Sequence, residues 1–219
     1  MFQRDYFMRM IEQIGEVSGV LLGLRREKKQ EEALQIIDEQ LDKLFRMNGK
    51  LIRSLSDTDL IRMMSRSGVV ETANVQGIAL LLKEEGQLHE ELEDEEAAYA
   101  SRLKSLHLFA RMALLDAPPL AKPASEEAEE LVALLAPYEL PPATKKLLAE
   151  FYEAHSRFDK AEDVHYELME DGELPRSETE AFYRRLLLLP EDTLRSGGVT
   201  REEVGAALAQ LERHEEARS

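Results

Sequence analysis

The segment KLLAEFYEAHSRFDKAEDVHYEL, running from Lys146 to Leu168, decides how the whole chain is read. Leu148, Ala149, Tyr152, Phe158, Ala161 and Leu168 recur at the spacing of two antiparallel helices joined by the link His155-Ser156-Arg157. Small side chains at Ala149 and Ala161 let two helix backbones approach closely, while Tyr152 and Phe158 fill the space beside them. A hairpin of this kind buries one face of each helix and needs a neighbour to cover the rest, so it is normally one unit in a stack.

Composition agrees with that reading. Leu, Glu, Ala and Arg dominate the 219 residues, Trp and Cys are absent, and β-branched runs are nearly missing. These are helix formers, and a chain of this length buries a sizeable core in one domain or two small ones. The absence of Cys removes disulfides, thiolate metal sites and cysteine nucleophiles, and it fits a reducing cytoplasm. The net charge of −16 is unevenly placed: residues 1–70 carry 12 Lys/Arg against 11 Asp/Glu, and residues 71–219 carry 16 against 33. The second part repels a phosphate backbone, which argues against nucleic acid as a ligand. Arg25-Arg26-Glu27-Lys28-Lys29 reads as a solvated turn, since Glu31 and Glu32 follow at once. No apolar run approaches the roughly 20 residues a bilayer requires, so no membrane association is expected. Asp5, Glu12 and Glu16 interrupt what would be the apolar core of a secretory signal.

Apolar periods and punctuation lay out the rest. Phe7, Met10, Ile11, Ile14, Val17, Leu21 and Leu22 form one helical stripe, and Ala33, Ile36, Ile37, Leu41, Leu44 and Phe45 form another that stops near Asn48-Gly49. Ser56-x-x-Asp59, Ser177-x-x-Glu180 and Thr200-x-x-Glu203 have the form of capping boxes. The first is expected to open a short helix reaching Ser67-Gly68. Two longer helices, one carrying Val75, Ile78, Ala79, Leu81 and Leu82 and one carrying Tyr99, Leu103, Leu106, Ala110 and Leu114, flank the acidic run Glu90–Glu96. That run reads as a solvated helix end, because it lacks the alternating ligands and central glycine of a calcium loop. Pro118, Pro119 and Pro123 cannot continue a helix. They suggest a linker over residues 117–124 between an N-terminal unit at 1–116 and a C-terminal unit at 125–219. Pro141-Pro142 suits the start of the helix that leads into the hairpin.

Set on Ala161, the hairpin resembles the tetratricopeptide repeat, a helix-turn-helix unit of about 34 residues. Leu148, Ala149 and Tyr152 then occupy its first-helix positions, Phe158 the aromatic of the turn, and Pro175 lies near the closing proline. Lys145 stands where that motif has a large residue, and no second copy recurs at a fixed period. The resemblance covers roughly 30 residues and implies an α-α superhelix that binds protein segments. In that register Lys146 stands where repeats of this kind hold a partner carboxylate, and Glu150 replaces the asparagine that usually helps it. The implied partner-binding residues are Lys146, Leu147 and Glu150, and an acidic groove there favours a basic or amphipathic partner. The chain as a whole resembles an uncharacterised bacterial family in Ala79–Gly86, Phe158–Asp163 and Tyr183–Leu187.

Catalytic signatures are missing. None of His89, His107, His155, His165 and His214 forms HExxH, and Glu162-x-x-His165 is one Glu-x-x-His where a di-iron bundle needs two. Ser101-x-x-Lys104 lacks the other motifs of penicillin-recognising enzymes. Gly15, Gly19 and Gly23 recur every four residues, as at a close helix contact. Met1, Phe2, Tyr6, Phe7, Met8 and Met10 exceed what one helix face needs, which points to burial within the chain or to a second copy of it. The sequence therefore leads us to expect an all-α protein of about ten helices in irregular stacked hairpins, acting as an adaptor without a cofactor or metal. The alternatives are a sensor or enzyme whose interhelical pocket gathers His107, Tyr152, His165 and Tyr183, and a structural homodimer.

Overall fold

The computed structural model describes the backbone of residues 2–216 and the side chains of residues 5–213. Met1 and the side chains of Phe2 and His214 lie outside the described residues. The chain is all-α, with twelve helices and one miniature hairpin among the described residues. It divides into two compact units, Met1–Glu139 and Leu140–Ser219.

In the first unit the order is α1 (Phe2–Arg26), α2 (Gln30–Phe45), α3 (Gly49–Ser54), α4 (Asp57–Met63), β1 (Ser65–Arg66), β2 (Val69–Val70), α5 (Thr72–Glu91), α6 (Glu95–Leu114) and α7 (Ala124–Leu135). Helix α5 is the spine. It packs against α1 and α2 on one side and α6 on the other, and α6 in turn packs against α7. From Ala73 to Leu88 most of α5 is buried, and the partly exposed residues Leu80, Lys83, Glu84 and Gln87 share one narrow stripe. Two glycines permit the close approach. A Cβ on Gly77 would meet the Phe45 ring at 2.9 Å, and one on Gly86 would meet the Arg102 side chain at 2.7 Å.

Burying the spine buries polar side chains, and Asn74, Gln76 and Glu85 each find hydrogen-bond partners. Glu85, only 2% exposed, accepts two hydrogen bonds from Arg53 at 2.8 and 2.7 Å and one from Ser101 at 2.9 Å. Gln76 donates to the carbonyl of Pro118 at 2.9 Å and accepts from the Leu120 amide at 3.2 Å. Lys83 reaches Glu127 on α7 at 2.5 Å. These bonds tie the proline segment and α7 to the spine, and the division of the chain falls at Glu139-Leu140, beyond the linker that the prolines suggested. The amide Gln76 and the buried Leu120 hold that segment in the first unit.

Two local expectations are corrected. Ser56 does cap its helix, accepting from the Asp59 amide at 3.0 Å, but α4 ends at Met63. The chain then turns through Ser67 and Gly68, both with positive φ (52° and 80°), which pairs Ser65 with Val70. Successive positive-φ residues give the tight hairpin turn that suits strand twist. Ser177 caps nothing, because α10 already begins at Arg176 behind Pro175. The Thr200 box forms as expected, with the Glu203 amide donating to Thr200 at 3.2 Å and the Thr200 amide donating to Glu203 at 2.8 Å.

The second unit runs α8 (Pro142–Ala154), α9 (Phe158–Glu170), α10 (Arg176–Leu187), α11 (Glu191–Ser196) and α12 (Arg201–Glu216). Pro142 occupies the first turn of α8, where its missing N–H costs nothing. Helices α8 and α9 pack as the antiparallel pair the sequence indicated, with Ala149, Tyr152, Phe158, Ala161 and Leu168 all buried. Helix α10 packs against α9 and α12. Arg201 donates to the carbonyls of Leu187 and Leu189, which the end of α10 leaves without helical donors.

The glycines of α1 are a different case. Gly15, Gly19 and Gly23 lie on its exposed side, and a Cβ at any of them would meet nothing within 4 Å. Their spacing therefore serves no close contact within the chain. Gly15→Ala is expected to stabilise the protein by about 0.5–1 kcal/mol, through the entropy lost by glycine in a helix. Gly197→Ala is expected to destabilise it by about 1–3 kcal/mol, because the added Cβ would lie 2.2 Å from Phe158 and 2.7 Å from the Ser156 carbonyl. Urea unfolding of the two variants beside the parent checks both signs.

Candidate functional site

An open cleft of about 1160 Å³ lies in the first unit. It lies between the start of α1, the end of α2, the turn from α4 through β2, and the first turn of α5. Local sequence builds each wall. Helix α2 stops because Arg46 takes a left-handed φ of 54° and donates its amide to the Asp42 carbonyl. That turn leaves Phe45 and Met47 on the inner wall and Lys43 and Arg46 at the rim. Asn48 then starts α3 by accepting from the Leu51 amide at 2.8 Å. The β1–β2 turn brings Arg66 and Val70 to the opposite side.

The floor is apolar and rich in sulfur, with Phe7, Phe45, Met47 and Met64 below an outward-facing Met63 that is 54% exposed. Methionine is unbranched and polarisable, so a Met-lined surface adapts to differently shaped apolar partners.

One polar chain crosses the cleft. Tyr6 donates to Asn74 Oδ1 at 2.5 Å, Asn74 donates to Glu71 Oε2 at 2.6 Å, and Arg66 pairs with Glu71 Oε1 at 2.8 Å. Burial pushes the Tyr6 hydroxyl above the ordinary tyrosine value, against the opposing effect of its bond to Asn74. It is therefore a neutral donor at physiological pH. What the cleft offers is apolar contact, hydrogen bonding and charge.

The residues singled out from the sequence are distributed elsewhere. Lys146 and Glu150 are exposed on α8, but Leu147 points inward and is 4% exposed, so it cannot meet a partner. Glu150 does reach a hollow, a shallow one of about 560 Å³ that it shares with Glu153, Phe158, Arg185 and Leu189. There Arg185 grips Glu153 through two hydrogen bonds of 2.7 Å. The four rival ligands are His107, Tyr152, His165 and Tyr183. His107 belongs to the first unit and the other three to the second. Within the second unit, His165 stacks on Phe182 at 4.4 Å and Tyr183 donates to Glu162 at 2.7 Å, while Tyr152 lies under Lys160 Nζ at 5.1 Å. Neither hollow is lined by any of the four. Ser101 and Lys104 bond to Glu85 and to the Leu55 carbonyl, which makes that pair part of the scaffold.

Sequence reasoning therefore missed the cleft. Its one visible signal was the surplus of Met and aromatic residues around Tyr6, Phe7 and Met8, which one helix face cannot bury.

The chain belongs to a family of unknown function, DUF6483, whose pattern matches residues 1–216. This agrees with the resemblance to an uncharacterised family. No curated protein and no solved structure matches the chain.

One buried histidine, His165, and one half-buried histidine, His107, are expected to make stability depend on pH. Burial holds His107 below the ordinary histidine value, aided by Lys104 and Arg111 and opposed by Asp57. Burial likewise lowers His165, aided by Arg185 and opposed by Glu153 and Glu178. The unfolded chain then takes up these protons more readily than the folded one. The stability they contribute is present above about pH 6.5 and is lost as pH falls from there towards the folded values. Thermal midpoints are expected to drop between pH 7 and about 5.5, and His165→Phe, which keeps the ring on Phe182, is expected to flatten that slope.

Proposed function

We propose that this chain is a protein-interaction adaptor that holds a segment of a partner protein in the cleft of its first unit. The observation that supports this most directly is the combination of an open, Met-lined floor with a large apolar residue left exposed at its mouth, Met63. Large apolar side chains gathered at the edge of a concave surface mark a place where something else binds. The cleft is bounded by helix ends and one hairpin turn, which hold its shape before any partner arrives and so reduce the ordering cost of binding. We also read the α8–α9 hairpin as tetratricopeptide-like, and assign the chain to a reducing cytoplasm from its lack of cysteine. Lys146 and Glu150 are secondary in this proposal, because the hollow that Glu150 reaches is shallow and its charges are already paired.

Photo-crosslinking tests the reading. With p-benzoyl-phenylalanine placed at Met63 and, as a control, at Leu134 on α7, irradiation in lysate is expected to give adducts at position 63 that map to one segment of a partner. Equal adducts at both positions, or none at position 63 in a folded protein, would discard the cleft. Adducts to a second copy of the chain would replace the adaptor with a homodimer.

A further inference from the structure

We infer that the segment held in this cleft is an acidic amphipathic helix. The inference rests on the cleft being a protein-binding site and concerns what it selects.

Charge is the first ground. The rim carries Lys43, Arg46 and Arg66, and Glu71 is the one acid in the lining. Glu71 is already held by Arg66 and Asn74. Lys43 and Arg46 form no ion pair among the described residues, so the cleft presents a net positive rim. This occurs on a chain of net charge −16, and it occurs because most of the lining comes from residues 1–70, the part in which acids and bases nearly balance. An acidic segment is repelled by the strongly acidic remainder of the chain and attracted at this opening.

Backbone geometry is the second. An extended segment would bind by adding a strand, but β2 is two residues long, and the Glu71 amide that follows it already donates to the Met64 carbonyl at 2.8 Å. That bond closes the β1–β2 ladder itself, and an outer edge of two residues is too short to seat an added strand. A helix satisfies its own backbone and needs only an apolar stripe at i, i+3, i+4 and i+7 to lie on the Phe and Met floor. Its acidic face then meets Lys43 and Arg46.

Two fluorescent peptides test this against the full-length chain. Both are helical, about 18 residues long and share one leucine stripe, but one has a glutamate polar face and the other a lysine polar face. Anisotropy at low salt is expected to show the acidic peptide binding at least about tenfold more tightly, with the difference shrinking at high salt. The chain's overall negative charge biases the assay the other way, which makes an acidic preference diagnostic. Lys43→Glu with Arg46→Glu is expected to reverse the preference, and Lys43→Gln with Arg46→Gln to abolish it, with thermal midpoints confirming that both variants fold. Equal or tighter binding of the lysine peptide, or an unchanged preference in the variants, would overturn the inference, and so would failure of both peptides to bind. Displacement of the acidic peptide by a free long-chain carboxylate at similar concentration would also overturn it, in favour of a lipid. Loss of the Met63 adducts tests the cleft itself, so the charge rule can fail while the cleft stands.

Discussion

A helix buried over most of its surface must satisfy its inward polar side chains within the protein, and α5 is such a helix. Leaving a buried donor or acceptor unpaired costs about 1–3 kcal/mol, more for a charge. Asn74, Gln76, Lys83 and Glu85 therefore recruit partners from the segments around them. Glu85 takes Arg53 from α3 and Ser101 from α6; Gln76 takes the backbone at Pro118 and Leu120; Lys83 takes Glu127 from α7; Asn74 takes Tyr6 from α1. The apolar contacts of α5 supply most of the driving force, but they are not directional. The polar contacts decide which segment lies where. Replacing the Glu85–Arg53 pair with apolar residues could leave stability unchanged, whereas removing one member alone strands the other.

The cleft follows from the same constraint. Asn74 and Glu71 stand at the first turn of α5, so the partners they recruit, Tyr6 and Arg66, draw α1 and the β-hairpin towards that end of the spine. Helix α2 contributes Phe45, which lies against Gly77, and then turns away at Arg46. The walls are thus held by a hydrogen-bonded chain and a helix stop, while the space between them stays open. The floor consists of side chains that the spine needs for its own packing, which is why Phe45, Met47 and Met64 are buried yet still line the cleft.

The second unit is organised by shape more than by polar contacts. Ala149 and Ala161 allow α8 and α9 to approach, and Phe158 fills the pocket beside Gly197, whose missing Cβ is required there. The Asp159 amide bonds to the Gly197 carbonyl at 3.1 Å, so the hairpin turn and the end of α11 fix each other. His165 enters this packing as a flat ring on Phe182, and it makes the unit sensitive to acid.

Much of this was legible in the residues. The α8–α9 hairpin, the stripes of α1 and α2, the proline start of α8 and the boxes at Ser56 and Thr200 are local features, set by spacing and by caps within a few residues, and they could be read directly. The short hairpin at Ser65–Val70 escaped because its turn depends on Ser67 adopting positive φ, which serine does rarely. What grips the proline segment was not legible, because prolines mark only where helices stop; Gln76, distant in sequence, holds it. The inward turn of Leu147 and the cleft around Met63 and Arg66 were decided only by tertiary structure. Whether a side chain faces core, groove or solvent depends on which helices pack beside it, and that is settled by contacts between residues far apart in the chain.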